Sequence, residues 1–174
     1  MGSVEWTGAR YADRPTVEAS TWIDAEPERV WSLISDIALM PTLSNELQAV
    51  EWVGGASEPR VGARFIGHNQ HEAFGQWAST SQVVRCDPPR EFAWAVGEPD
   101  YPAAVWRFRL VPRDGGTNLT YRTQIGPGRS GLSNAIDAMP DKEEKIVFVR
   151  LREFEAAIDK TLAAIKRLAE HGVR

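Results

Sequence analysis

Few residues of this 174-residue chain have the types and spacing that chemistry needs. His68 and His71 stand three apart in a run, Ala63 to His71, with the pattern of a strand. On a strand, residues three apart point to opposite faces, so the two cannot hold one ion together. No third ligand stands at a useful spacing. They read as surface or strand-end histidines, and no metal site is expected. Ser79 and Ser81 lie in mid-strand without the Gly-x-Ser-x-Gly turn that lifts a nucleophile. Cys86, the single cysteine, has no activating base near it in sequence. Gly126-Pro127-Gly128-Arg129-Ser130-Gly131 has the glycines of a phosphate loop but not its Gly-Lys-Ser/Thr ending, and it reads as a hinge. Covalent, metal and cofactor chemistry are not expected.

The aromatic residues say more. Seven tryptophans is a large number for this length. With alternating strand geometry, Phe65 and Asn69 share a face, as do Trp77, Ser79 and Ser81. So do Phe92 and Trp94, then Trp106 and Phe108, then Tyr121 and Thr123. Each set is the more apolar half of its strand, so each is assigned inward. The opposite face of the strand around Trp106 carries Arg107 and Arg109, which supports that orientation. Two readings remain open: the rings fill a core, or they line a cavity with Asn69, Ser79, Ser81, Tyr121 and Thr123 as its few polar contacts. Aromatic walls with sparse hydrogen-bonding groups suit a flat, mostly apolar ligand. For acid–base work, Tyr121 is a candidate donor to a carbonyl and Asn69 a candidate partner for an enolate oxygen. No general base accompanies them: Glu72, Glu98 and Asp100 belong to loops, and Glu18 faces outward.

These residues need elements to position them. Thr16 to Ala25 alternates as a strand. Glu26-Pro27-Glu28 then carries the proline and acidic residues of a helix start, followed by the apolar stripe Val30, Trp31, Leu33 and Ile34. The helix ends by Pro41, and Thr42 to Leu47 is one more short helix or turn. Strands follow at 47–53, 63–71, 75–86, 91–96, 104–111 and 117–125. The last two are joined by Arg113-Asp114-Gly115-Gly116, whose glycines accept positive φ. From Pro140 to His171, Val147, Leu151, Phe154, Ile158, Leu162 and Ile165 recur at steps of four and three, and Gly172 supplies the stop. This is a long amphipathic helix whose stripe must be buried against the sheet, with Phe154 and Ile158 facing the interior. A twisted sheet closing on one helix is not always filled by side chains, so an internal cavity is expected.

Composition sets the bounds. With 43% hydrophobic and 25% charged residues, the chain is apolar enough for one folded domain. A net charge of −4 and no Lys/Arg-rich block argue against nucleic acid. A lone cysteine and no long apolar run suggest a cytoplasmic protein without stable membrane insertion, as monomer or homodimer. The expected organisation is an N-terminal arm, residues 1–15, and a single domain, residues 16–172.

The stretch Ile23-Asp24-Ala25-Glu26-Pro27-Glu28-Arg29-Val30-Trp31-Ser32-Leu33-Ile34-Ser35-Asp36 resembles the opening of the START/Bet v 1-like superfamily (SRPBCC), in its bacterial polyketide cyclase/dehydrase-like branch. Gly62-Ala63-Arg64-Phe65, Asn69, Trp77, Pro88-Pro89-Arg90-Glu91-Phe92-Ala93-Trp94, Trp106 and Gly115-Gly116-Thr117 extend the resemblance over about residues 16–170. The resemblance implies an α+β helix-grip fold, with a curved seven-stranded antiparallel sheet around a long C-terminal helix and two short helices after the first strand. It also implies a hydrophobic cavity for lipids, polyketides or aromatic molecules, which some members cyclise or dehydrate and others only carry. The expected function is binding of a hydrophobic small molecule, at Phe65, Asn69, Trp77, Ser79, Ser81, Phe92, Trp94, Trp106, Phe108, Tyr121, Thr123, Phe154 and Ile158. The alternatives are a polyketide cyclase/dehydratase working by non-covalent acid–base catalysis, with Tyr121 and Asn69 as its candidates, and a protein-interaction module with a filled core.

Overall fold

The alternation read along the chain becomes one sheet. The computed structural model describes residues 3–172, so the first two residues of the expected arm lie outside it. Its elements are β1 (Thr16–Ile23), α1 (Pro27–Ile34), α2 (Met40–Leu43), β2 (Leu47–Val53), β3 (Arg64–His71), β4 (Gly75–Asp87), β5 (Glu91–Val96), β6 (Ala104–Arg113), β7 (Gly116–Ile125), α3 (Gly131–Ala138) and α4 (Glu143–His171). The strands form one seven-stranded antiparallel sheet in the order β1-β7-β6-β5-β4-β3-β2. Hairpins link β2 through β7, and α1 and α2 carry the chain from one sheet edge to the other. The fold is α+β and helix-grip, with α4 packed along β1 and against α1 and α3.

Local chemistry sets the boundaries. Pro27 opens α1, and the Asp36 carboxylate accepts from the Ala38 N–H (3.0 Å) to start the turn after it. Pro41 does not end a helix; it stands in the first turn of α2, where its missing N–H costs nothing. The β6–β7 hairpin turns at Asp114 (φ 51°) and Gly115 (φ 77°). The neighbouring Gly116 leaves no room for a side chain, because a Cβ there would lie 2.3 Å from the Ile23 carbonyl. α4 begins later than Pro140, which with Asp141 and Lys142 forms a single 3₁₀ turn.

α3 has no counterpart in the sequence reading. It is eight residues long and buries only Leu132 and Ser133, too few to show a period. Its start is a reciprocal cap in which the Ser130 N–H donates to Ser133 Oγ (3.0 Å). The preceding glycine loop is also not a free hinge. Gly126 N–H bonds the Ala103 carbonyl (2.7 Å), Gly128 N–H bonds Pro102 (2.7 Å), and the Tyr11 hydroxyl donates to the Gly128 carbonyl. Tyr11 belongs to the N-terminal arm, which lies on α4: its N–H meets Glu143 (3.2 Å), Arg10 faces Glu144 (3.4 Å), and Trp6 packs edge-on against Phe148 (5.3 Å). The arm thus ties the start of the long helix to the loop.

The core lies between the concave sheet face and α4. In β7 the buried positions Leu119, Tyr121, Thr123 and Ile125 alternate with half-buried ones, as period-two geometry demands. From α4 come Val147, Leu151, Ile158, Leu162 and Ile165. Among the described residues no helix is long and apolar enough to cross a membrane. Ile158 is fully buried. We expect Ile158→Ala to lower stability by about 2–5 kcal/mol, seen as a lower urea midpoint at unchanged slope.

Candidate functional site

The rings on the sheet fall into two groups. Phe92, Trp94, Phe108 and Tyr121 stack against one another across β5, β6 and β7, with Phe108 and Tyr121 nearly parallel at 4.0 Å. Trp31 of α1 and Phe65 of β3 close this group at its sides, 6.0 Å from Phe92 and 6.2 Å from Trp94. These rings are core. Trp106 extends the run (5.4 Å from Tyr121) to Phe154 of α4, which meets it edge-on at 5.2 Å. Beyond Trp106 the filling stops.

There a cavity of about 380 Å³ opens between β3, β4, β6, α3 and α4. Its walls are Phe74, Trp77, Trp106 and Phe154, with Val96, Ala103, Ala104, Ile125 and Leu132 between them and Glu46, Asn69, Ser79, Ser130, Asn134 and Arg150 as polar lining. Of the residues singled out from sequence, Asn69, Trp77, Ser79, Trp106 and Phe154 meet on this wall. Phe65, Phe92, Trp94, Phe108, Tyr121, Thr123 and Ile158 do not; they are buried in the packed half. Ser81 is buried too, and lines a second, adjoining hollow. Inward orientation was enough to bury these residues but did not say which half of the concave face stays open.

The cavity's strongest polar feature was not read from sequence. Arg150 projects from the apolar stripe of α4 and is buried. Its Nη1 and Nη2 donate to the two oxygens of Glu46 (2.5 and 3.0 Å), and Nη1 also donates to Glu153 (2.8 Å). The guanidinium lies between the rings of Phe154 (4.4 Å) and Phe74 (5.2 Å). Burial pulls its pKa down, but the hydrogen bonds and charges of Glu46 and Glu153 outweigh that and hold it above the ordinary value. It stays charged. One Nη2 hydrogen and the Nε hydrogen remain for other partners.

His71, a strand-end histidine as expected, stands at the last position of β3 and completes the cluster. Its Nδ1 accepts from the Ala73 N–H (3.0 Å), so the proton sits on Nε2, which donates to Glu153 (2.7 Å). Both ring nitrogens are engaged. The absent third ligand is in fact supplied by the fold, since Glu46, His71 and Glu153 bring ligand atoms within 4.8 Å of one another. The set still does not fit a metal ion, because the Arg150 guanidinium already supplies the cation between the two carboxylates. One sequence signal did mark this site: Arg150 interrupts an apolar stripe between Val147 and Phe154. Glu46 and Phe74 carried none, for both lie outside regular periodicity.

The family model described as "polyketide cyclase / dehydrase and lipid transport" matches residues 14–170. The chain belongs to this family. A family relative by fold is the Polyketide_cyc-like protein of Corynebacterium glutamicum, solved by NMR, at 29% identity and TM-score 0.64 over 88% of this chain and 90% of that one. The Zhui aromatase/cyclase of Streptomyces sp. R1128 superposes at TM-score 0.65 with 17% identity, over 90% and 96% of the two chains. The di-domain aromatase/cyclase StfQ of the steffimycin pathway superposes at TM-score 0.65 with 11% identity, over 87% of this chain and 48% of that one. No curated protein matches in sequence. At these lower identities the likeness is one of fold, and it agrees with the family's curved sheet around a long helix.

Two buried groups make the packed half testable. Thr123 is fully buried and its hydroxyl has no partner among the described residues, which costs roughly 1–3 kcal/mol. Thr123→Val is expected to raise stability by about 1 kcal/mol in urea titration. Burial also pushes the Tyr121 phenol well above its ordinary pKa of 10.0. The unfolded chain therefore loses this proton first as pH rises, and the stability tied to it, fully present below pH 10, falls above that value. Tyr121→Phe is expected to lack this alkaline component when unfolding midpoints are compared between pH 9 and 11 (roughly one unit either side of the free phenol).

Proposed function

We propose that the protein binds a hydrophobic small molecule, of polyketide, aromatic or lipid-like class, in the cavity between the sheet and α4. The observation that carries this reading is the wall itself: Phe74, Trp77, Trp106 and Phe154 surround about 380 Å³, with one half-buried ion pair, Glu46–Arg150, in the lining. Pockets of this size and make-up hold flat apolar ligands and orient them by a few polar contacts. Those contacts are of both kinds. Glu46 and Ser79 accept hydrogen bonds from hydroxyl groups, and the free hydrogens of Arg150 donate to carbonyl groups. A phenol or a β-ketone meets both. Family membership supports the same class, and a lone cysteine fits a cytoplasmic setting.

The acid–base reading gains one specific observation, a carboxylate on the cavity wall. In a cyclisation or dehydration, Glu46 takes the proton α to a carbonyl and Arg150 faces the enolate oxygen. Asn69 lies on the same wall as a further contact. Tyr121 lies behind Trp106 rather than on the wall, so it is not the donor in this reading.

Tryptophan fluorescence tests binding, because Trp77 and Trp106 line the space. Titration with 2-naphthol is expected to quench the wild type saturably, and Phe154→Ala to weaken binding by about ten-fold through lost ring contact. An unchanged emission across the series would leave the cavity reading without support. For catalysis, Glu46→Gln is expected to reduce turnover of a β-diketone or poly-β-ketone substrate by about 100-fold or more while sparing its binding. Turnover equal to wild type would remove Glu46 from the mechanism.

A further inference from the structure

The sheet is interrupted where the cavity opens. β4 pairs with β3 from Gly75–His71 to Gln82–Arg64, but its pairing with β5 begins only at Ser81. One last bond, from the Gly97 N–H to the Thr80 carbonyl (2.8 Å), ends that ladder. In an antiparallel strand the N–H and C=O of one residue point to the same side, and successive residues alternate. Val83 exchanges both its bonds on the β3 side, with Ala63 and Gly62 (2.9 Å each). Thr80 points the other way. Gln76 and Ala78 follow Thr80, so their backbone groups face a gap that no strand fills. This open edge is not at the rim of the sheet, where β1 and β2 lie, but inside it.

The gap joins two spaces. The aromatic cavity and a second hollow of about 430 Å³ share Trp77, Ser79, Val96, Ala103, Ser130 and Gly131 as walls. The second hollow is lined by Thr80 and Gln82 on β4, by Glu98 and by two arginines; Arg129 is paired with Asp137, whereas Arg64 meets no carboxylate among the described residues and donates from Nε to Gln82 (3.0 Å). An aromatic chamber, a strip of unpaired backbone amides and a hollow holding one arginine without a carboxylate partner, Arg64, therefore adjoin one another at β4.

We propose that the ligand is an amide conjugate: an apolar aromatic group joined to an extended chain of secondary amides that ends in a carboxylate, as in an N-acylated short peptide. The aromatic group fills the inner cavity, the amides continue the sheet along Gln76–Thr80, and the carboxylate lies in the outer hollow near Arg64. This is strand addition to an open edge, in which backbone bonds supply affinity and the spaces on either face supply selectivity. The assignment rests on the inner cavity being the binding site.

Three probes on the wild type test it by tryptophan fluorescence: methyl 2-naphthoate, N-(2-naphthoyl)-Gly-Gly-Asp, and the same chain with its amides replaced by esters. The amide conjugate is expected to bind about ten-fold or more tighter than methyl 2-naphthoate, and the ester chain to lose that gain. Ala78→Pro removes the N–H that faces the gap, leaves the β3 ladder intact, and stands where an edge accepts proline. It is expected to weaken the amide conjugate by about ten-fold and leave methyl 2-naphthoate unchanged, which also certifies its fold. If methyl 2-naphthoate binds but the conjugate is no tighter, or the ester equals the amide, the edge assignment is overturned and the cavity reading stands. Conjugate binding by Ala78→Pro at wild-type strength overturns it equally. If neither methyl 2-naphthoate nor the conjugate binds, both readings fall.

Discussion

The structure depends on a run of stacked rings across the concave face of the sheet. Phe92, Trp94, Phe108, Tyr121 and Trp106 are cross-strand or diagonal neighbours, so each strand's register is fixed by the ring opposite. Large rings hold the sheet away from α4 and bury much of the apolar area that stabilises the domain. They also end abruptly. Past Trp106 the facing positions carry Ser79, Asn69 and Ala104, too small to reach the helix. The cavity is the consequence of that change in side-chain size along one continuous surface.

An open space beside a dense core places a charge where burial alone would forbid it. Arg150 is tolerated on the inner face of α4 because Glu46 and Glu153 bond it and two rings flank it. Arg150–Glu46 ties α4 to the start of β2 and Glu153–His71 ties it to the end of β3, so a site that orients a ligand also fixes the helix over the sheet. Beside the cavity-lining Ser130 the N-terminal arm does similar work: Tyr11 is bonded to both Glu143 and the Gly128 carbonyl. The cavity rim is thereby built from segments far apart in sequence.

Much of the architecture was legible because it rests on local periodicity. Alternation along β6 and β7 and the four–three spacing of Val147 to Ile165 give the sheet and the long helix directly. α3 was missed because eight residues with two buried positions show no period, and its capping serines look like loop. Pro41 was read as a stop although proline in a first turn is equally a start.

What the sequence by itself determined was which side chains face inward, since that follows from strand and helix geometry one element at a time. It also indicated the family, through the run from Ile23 to Asp36 and the Pro88–Trp94 segment. Only the tertiary structure decided which inward residues touch open space. Phe108 and Trp106 stand two apart on one face, yet Phe108 is packed among rings in the core while Trp106, met edge-on by Phe154 of α4, borders open space. It alone assembled Glu46, His71, Arg150 and Glu153, from the α2–β2 turn, β3 and α4, into one charged cluster. Contacts between elements more than 80 residues apart carry no spacing signal, so chemistry built from them is invisible until the chain is folded.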